Sequence, residues 1–149
     1  EERGLIVALD SVRDPGNLGT ILRICDWYGI EQIICSPDTV DIYNPKVIQA
    51  TMGSIARVNC CYTALIPIFE KTNLPLFGTF MNGENIYKTR LPQEGIIVMG
   101  NEANGISKEI ENTIQNRIAI PRFGPLQKTE SLNVATATAI ILSEFRRNG

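Results

Sequence analysis

Histidine is missing altogether from the 149 residues of this chain. That excludes every Ser-His or Cys-His nucleophile arrangement and removes the commonest general base. Cysteine is sparse: Cys25, Cys35, Cys60 and Cys61 fall in or beside apolar runs and form no C-x-x-C pair. With no histidine to complete a ligand set, the expectation is buried free thiols and no metal. No apolar stretch approaches the roughly 20 residues that a membrane span requires. The opening Glu1-Glu2-Arg3 is no signal peptide, so a soluble, cytoplasmic protein is expected. Basic residues are not in excess, with 14 Lys and Arg against 16 Asp and Glu for a net charge of −2. A nucleic-acid enzyme normally carries a basic footprint. Here Arg13, Arg23, Arg122 and Lys128 lie in or next to the three segments singled out below, while many acids lie elsewhere.

What is present is the composition of an ordinary globular domain, 44% hydrophobic and 20% charged. The length suits one core, and no repeat, low-complexity tract or linker marks an internal boundary. Leu5 to Leu9 is a short apolar run of strand formers, followed by turn chemistry in Asp14-Pro15-Gly16-Asn17. Leu18, Ile21, Leu22 and Cys25 then follow helical spacing, and Gly29 stands where that helix would stop. The alternation continues with strands at 33–35, 58–62, 76–80, 96–99 and 118–120. Helices are expected from Pro45 to about Ala56, from Ala64 to Lys71, from Ser107 to about Ile114, and from Ser131 to Arg146. Such alternation predicts an α/β domain with a mostly parallel sheet flanked by helices.

Three segments stand out as carriers of chemistry. The first runs from Asp10 to Arg23, a loop at the carboxyl end of a strand, where open α/β sheets place ligands. Read alone, it is equally a Pro-Gly turn entering a helix. The second is Gly100-Asn-Glu-Ala-Asn-Gly105 after the unbroken apolar strand, with glycines that admit close backbone approach and a carboxylate at Glu102. It matches neither G-x-G-x-x-G nor a phosphate loop. The third is Ile120-Pro-Arg-Phe-Gly124, a long loop, and Ser131-Leu-Asn133 opening a helix rich in Ala and Thr. Ser131 is a natural N-cap there.

Taken together and in this order, the three segments resemble the three motifs of the SpoU (TrmH-like) RNA ribose methyltransferases of the SPOUT class. The resemblance covers nearly the whole chain, including Ala50-Thr-Met-Gly-Ser54 between the first two motifs. It implies motif residues at Asn17 and Arg23, at Gly100 and Glu102, and at Ser131 and Asn133. It implies an S-adenosylmethionine pocket lined around Thr79, Gly100, Ile120 and Leu132, a C-terminal trefoil knot, an RNA substrate (tRNA or rRNA) and a homodimer. It further implies that residues 1–149 are the catalytic domain alone, without the N-terminal RNA-binding domain that family members often carry. Two departures are visible: Ala103 stands where the family usually has glycine, and the loop before Ser131 is longer than the common pattern.

Methyl transfer from a sulfonium to a ribose oxygen is an in-line displacement, so alignment and stabilisation of the developing oxyanion are what an enzyme must supply. Without histidine, the candidates to assist the hydroxyl are Arg23 and Glu102. A guanidinium with a pKa above about 12 suits charge stabilisation or phosphate holding better than proton abstraction. The last helix, with its Ala and Thr run followed by Ile140, Ile141, Leu142 and Phe145, is expected to build the dimer contact. Two competing functions share the architecture. A dinucleotide-dependent oxidoreductase lacks its glycine fingerprint here, and a catalytically inactive RNA-binding relative would retain the fold but bind no cofactor.

Overall fold

The structure is a computed structural model that describes residues 4–53, 57–125 and 131–147. Six parallel strands form one sheet in the order β3-β2-β1-β5-β4-β6. They are β1 (Leu5–Leu9), β2 (Gln32–Cys35), β3 (Asn59–Tyr62), β4 (Leu76–Asn85), β5 (Gly95–Met99) and β6 (Asn116–Ala119). The helices are α1 (Pro15–Trp27), α2 (Pro45–Thr51), α3 (Leu65–Lys71), α4 (Lys108–Glu111) and α5 (Val134–Arg146).

β1 and β5 lie at the centre, paired from Leu5↔Gly95 to Leu9↔Met99, and every residue of both is buried. Side chains alternate across a strand, so the sheet feeds two cores. Leu5, Val7 and Leu9 pack with Leu18, Ile21, Leu22 and Cys25 of α1, Val47 of α2, and Ile141, Leu142 and Phe145 of α5. Ile6 and Ala8 face the other way, against Leu65 and Phe69 of α3 and Ile110 of α4. The Phe145 ring meets Phe77 edge-on, with centroids 5.2 Å apart.

This corrects one expectation. Ile141, Leu142 and Phe145 are 0–3% exposed and fill the domain's own core. Each contributes about 1.5–3 kcal/mol there, so they offer nothing to a partner. The cysteines divide: Cys25 and Cys35 are buried free thiols as expected, and burial pushes the Cys25 thiol up, but the other two depart from that expectation. Cys60 is half-buried and Cys61 exposed.

Several boundaries move for local reasons. α1 begins at Pro15, three residues earlier than the apolar spacing implies, because Asp14 caps it by accepting the Asn17 N–H at 3.0 Å and proline occupies the first turn. α5 begins at Val134, with Asn133 as its cap. Asn133 Oδ1 accepts from the N–H groups of Ala135 (2.9 Å) and Thr136 (3.1 Å), so Ser131 lies outside the helix and does not cap it. β4 outruns its expected end by five residues, because its register against β6 shifts between Thr79 and Glu84. α2 closes at Thr51, where Met52 takes a left-handed conformation (φ 51°). Ser54, Lys128 and the rest of 54–56 and 126–130 lie outside the described residues. The path of the chain through 126–130, on which an expected knot depends, is among them.

Candidate active site

The loops that follow β1 and β5 meet above the centre of the sheet, where the strand connections diverge to opposite sides. Such a crevice is where open α/β sheets receive ligands. Asn101 builds the β5 loop. Its Oδ1 accepts from the N–H groups of Ala103 (2.9 Å) and Asn104 (3.0 Å), and its backbone exchanges two hydrogen bonds with Gly105. Its Nδ2 donates to the carbonyl of Ser11 at 2.7 Å and so ties this loop to the β1 loop. Nothing in the spacing of the segment singles out Asn101. A polar amide two residues past the end of a buried strand is the one signal that could have found it.

Gly100 has a different reason to be glycine from the one expected. A Cβ there would lie 2.3 Å from the carbonyl carbon of Gly105 and from the Ile106 nitrogen. The space that the missing side chain leaves is filled by the loop itself. Ala103 is not among the left-handed residues, whereas Gly105 is (φ 70°), so alanine fits at 103 without backbone strain.

The loop presents Glu102 to the first segment. Its Oε1 accepts the Arg13 N–H at 3.1 Å; its Oε2 accepts the Asp14 N–H at 2.8 Å and Asn17 Nδ2 at 3.2 Å. Partial burial pushes this carboxyl's pKa up, but the hydrogens of Asp14, Arg13 and Asn17 outweigh burial and hold it below the usual carboxylate range. Glu102 is thus ionised at neutral pH, with both oxygens committed. Asn17 then spends its other amide atom on the third segment, Oδ1 accepting from Asn133 Nδ2 at 2.9 Å. One side-chain amide therefore joins all three segments.

Of the remaining expected residues, Gly100 and Ile120 stand just past the carboxyl ends of β5 and β6, and Thr79 lies within β4, the strand between them in the sheet, where its register against β6 begins to shift. Leu132, two residues before α5, is 50% exposed, and Ser131 is exposed beside it. Arg23 is not brought to the Asn17 amide. It lies on an exposed stripe of α1 with Gly16, Thr20 and Trp27, spaced at i, i+4, i+7 and i+11. Among the described residues no hydrogen bond or ion pair holds it.

Two hollows flank the Asn17 amide. A groove of about 650 Å³ runs between α1 and α5, lined by Gly16, Asn17, Thr20, Ala50, Asn133 and Ala139. A polar cleft of about 320 Å³ lies on the other side, lined by Asp10, Ser11, Arg13, Asp38, Asn104 and Ser107. Among the described residues no group of acids, cysteines or histidines is placed to hold a metal ion, and no helix is long and apolar enough to cross a membrane.

Comparison with known proteins bears on this arrangement. The profile of the SpoU rRNA Methylase family matches residues 4–143. A 23S rRNA (guanosine-2′-O-)-methyltransferase, RlmB, of Neisseria meningitidis is 31% identical over 98% of this chain and 59% of its own length. The 23S rRNA (guanosine(2553)-2′-O)-methyltransferase RlmP of Bacillus subtilis is 28% identical over 95% of this chain and 57% of its own. Among solved structures, a TrmH-family protein from Porphyromonas gingivalis superposes with a TM-score of 0.92 at 40% identity, covering all of this chain and 61% of its own. An AdoMet-bound rRNA methyltransferase from Sinorhizobium meliloti gives 0.88 at 33% identity, over 99% of this chain and 57% of its own. The chain spans 52–59% of the length of the curated relatives it matches first. With its three motifs joined through Asn17 and its sequence matched by the family profile almost end to end, the chain belongs to the SpoU rRNA Methylase family.

Proposed function

We propose that this domain moves the methyl group of S-adenosylmethionine to a ribose 2′-hydroxyl of ribosomal or transfer RNA, in the cytoplasm. The observation that carries this reading is the Asn17 amide, which clamps Glu102 and Asn133 into one unit at the carboxyl edge of the sheet. A relative that had lost its chemistry would have no need to keep all three segments in register.

The residues present fit the cofactor. Backbone at Thr79 in β4 and just past the ends of β5 and β6 at Gly100 and Ile120 offers donors and acceptors, and Leu132 is a half-exposed apolar side chain. When bound, the cofactor supplies an electrophilic methyl on a sulfonium. This chain supplies position and charge. Glu102, ionised and saturated, serves as a positioning residue that fixes the Arg13–Asn17 loop, not as the proton acceptor. Asn133 sets the start of α5, and with it Ser131 and Leu132.

Arg23 is the free cation that stabilises the developing alkoxide or holds the adjacent phosphate. Among the described residues no hydrogen bond or ion pair ties it to its own Asn17 amide, so we assign it to the site of a second copy. The groove between α1 and α5 has small residues, including Ala50, Ala135 and Ala139, that permit close helix approach. Trp27, Ile48 and Met52 leave 84%, 45% and 73% of their surface exposed on α1 and α2. A homodimer across this face covers them and delivers each Arg23 to the other copy.

The test is mass spectrometry of ribose-methylated nucleosides in total RNA from cells with and without the intact gene. Loss of one 2′-O-methylated nucleoside upon deletion, restored by the wild-type gene, supports the reading. An unchanged methylation profile counts against it.

A further inference from the structure

The polar cleft beside the Asn17 amide is not used by the chemistry above. Its most ordered feature is Asp38, whose carboxylate accepts from Ser36 Oγ (2.7 Å) and from Ser11 Oγ (2.8 and 3.0 Å). Ser36 is itself buried. Arg13 reaches Asp38 through a single nitrogen at 3.4 Å, and the two side chains are 64% and 48% exposed. A guanidinium held end-on in this way keeps most of its five N–H donors unspent. The cleft thus presents a fixed acceptor and a fixed donor side by side. The Arg13 backbone is pinned by Glu102, so this pair is locked to the same unit as the methyl-transfer residues.

Charge narrows the ligand. Asp10 and Asp38 set two carboxylates against one guanidinium in the cleft lining, which disfavours a phosphate. A neutral, planar group with N–H donors next to a carbonyl acceptor suits it. Guanine offers that edge: O6 accepts, while N1–H and the N2 amine donate. Adenine and cytosine present an amine where guanine has O6, and uracil lacks the second donor. A volume of about 320 Å³ admits a single base.

We propose that the Arg13–Asp38 pair reads the base of the target nucleotide and selects guanine, Arg13 donating to O6 and Asp38 accepting from N1 and N2. The inference rests on the methyltransferase reading. The experiment incubates the full-length protein with methyl-labelled S-adenosylmethionine and total RNA from cells lacking the gene, then identifies the labelled nucleoside by mass spectrometry. The wild-type product is expected to be 2′-O-methylguanosine. Arg13→Ala and Asp38→Asn are expected to lower guanosine methylation by about 10- to 100-fold in kcat/KM, the usual worth of a paired base contact. Affinity for S-adenosylmethionine should stay unchanged, which separates base reading from general damage. Because Arg13 is an exposed side chain, Arg13→Ala retains the fold even if Asp38→Asn does not. Label on adenosine, cytidine or uridine overturns the inference and leaves the methyltransferase reading standing. So does full guanosine methylation by Arg13→Ala. No label on any nucleoside with the wild-type protein overturns both.

Discussion

Asn133 donates from Nδ2 to Asn17 Oδ1 at 2.9 Å, so the residue that starts the last helix also holds the residue that shapes the first. The two halves of its amide do different jobs: Oδ1 caps α5 and Nδ2 makes the contact with α1.

Those jobs can be separated by substitution. Asn133→Asp keeps a capping oxygen but sets a carboxylate against Asn17 Oδ1; turning the Asn17 amide over would then face its oxygen to Glu102. Asn133→Ala loses both jobs, and the lost cap alone costs about 1 kcal/mol. The expected order of melting temperature is wild type, Asp, Ala, while both variants lose cofactor affinity in calorimetry. Wild-type affinity in Asn133→Asp would show that the contact to Asn17 is dispensable.

Glu102 gives a pH signature. Its pKa in the folded state lies below its unfolded value, so the stability it contributes is complete above the unfolded value and lost as pH falls through the folded one. Wild-type melting temperature should therefore fall on acidification from about pH 5 downward. Glu102→Gln should be less stable at neutral pH and show a shallower acid decline. Parallel acid limbs in the two proteins would contradict the assignment.

Arg23→Ala should leave S-adenosylmethionine affinity nearly intact while cutting methylation by about 10²–10³-fold, as for loss of one charge-stabilising donor. If Arg23 serves the other copy, mixing inactive Arg23→Ala and inactive Asn133→Ala chains restores one working site per heterodimer. Failure to recover activity, with exchange of subunits verified by mass, would place both residues in the same copy's site.

Two glycines five positions apart should respond differently. Gly100→Ala drives a Cβ into the backbone of Gly105 and Ile106 and should cost at least about 1–3 kcal/mol, with cofactor affinity falling alongside. Gly105→Ala meets no atom within 4 Å and carries only its left-handed backbone penalty, about 1 kcal/mol. Equal thermal shifts for the two would mean that the loop does not close against Gly100.

Much of the fold could be read in advance because it is written locally. The apolar spacing of Leu18, Ile21, Leu22 and Cys25 and the unbroken run at 96–99 each follow from which faces are covered, and the structure buries all of them. Choices between neighbouring residues of similar chemistry could not be read. Ser131 and Asn133 are both good caps, and what selects Asn133 is a partner 116 positions away. The β4 register shift depends on Gly83 lying against the Ile118 backbone, a contact invisible until the strands are paired. For the site, motif residues were legible by resemblance, but Asn101, Asp38 and the geometry joining Glu102 to Asn17 needed the loops to be brought together.

Gly19 lets α1 sit directly on α2: a Cβ there would lie 2.3 Å from that of Ala50. The helix is thus wedged on one flank, hooked to α5 through Asn17, and tethered at its start by Glu102. A rod fastened at three points cannot roll about its axis. The outward stripe of Gly16, Thr20, Arg23 and Trp27 keeps a constant bearing, and what freedom Arg23 has lies in its side chain. Under the proposed reaction, the substrate meets a helix whose axis and rotation are already set by its neighbours.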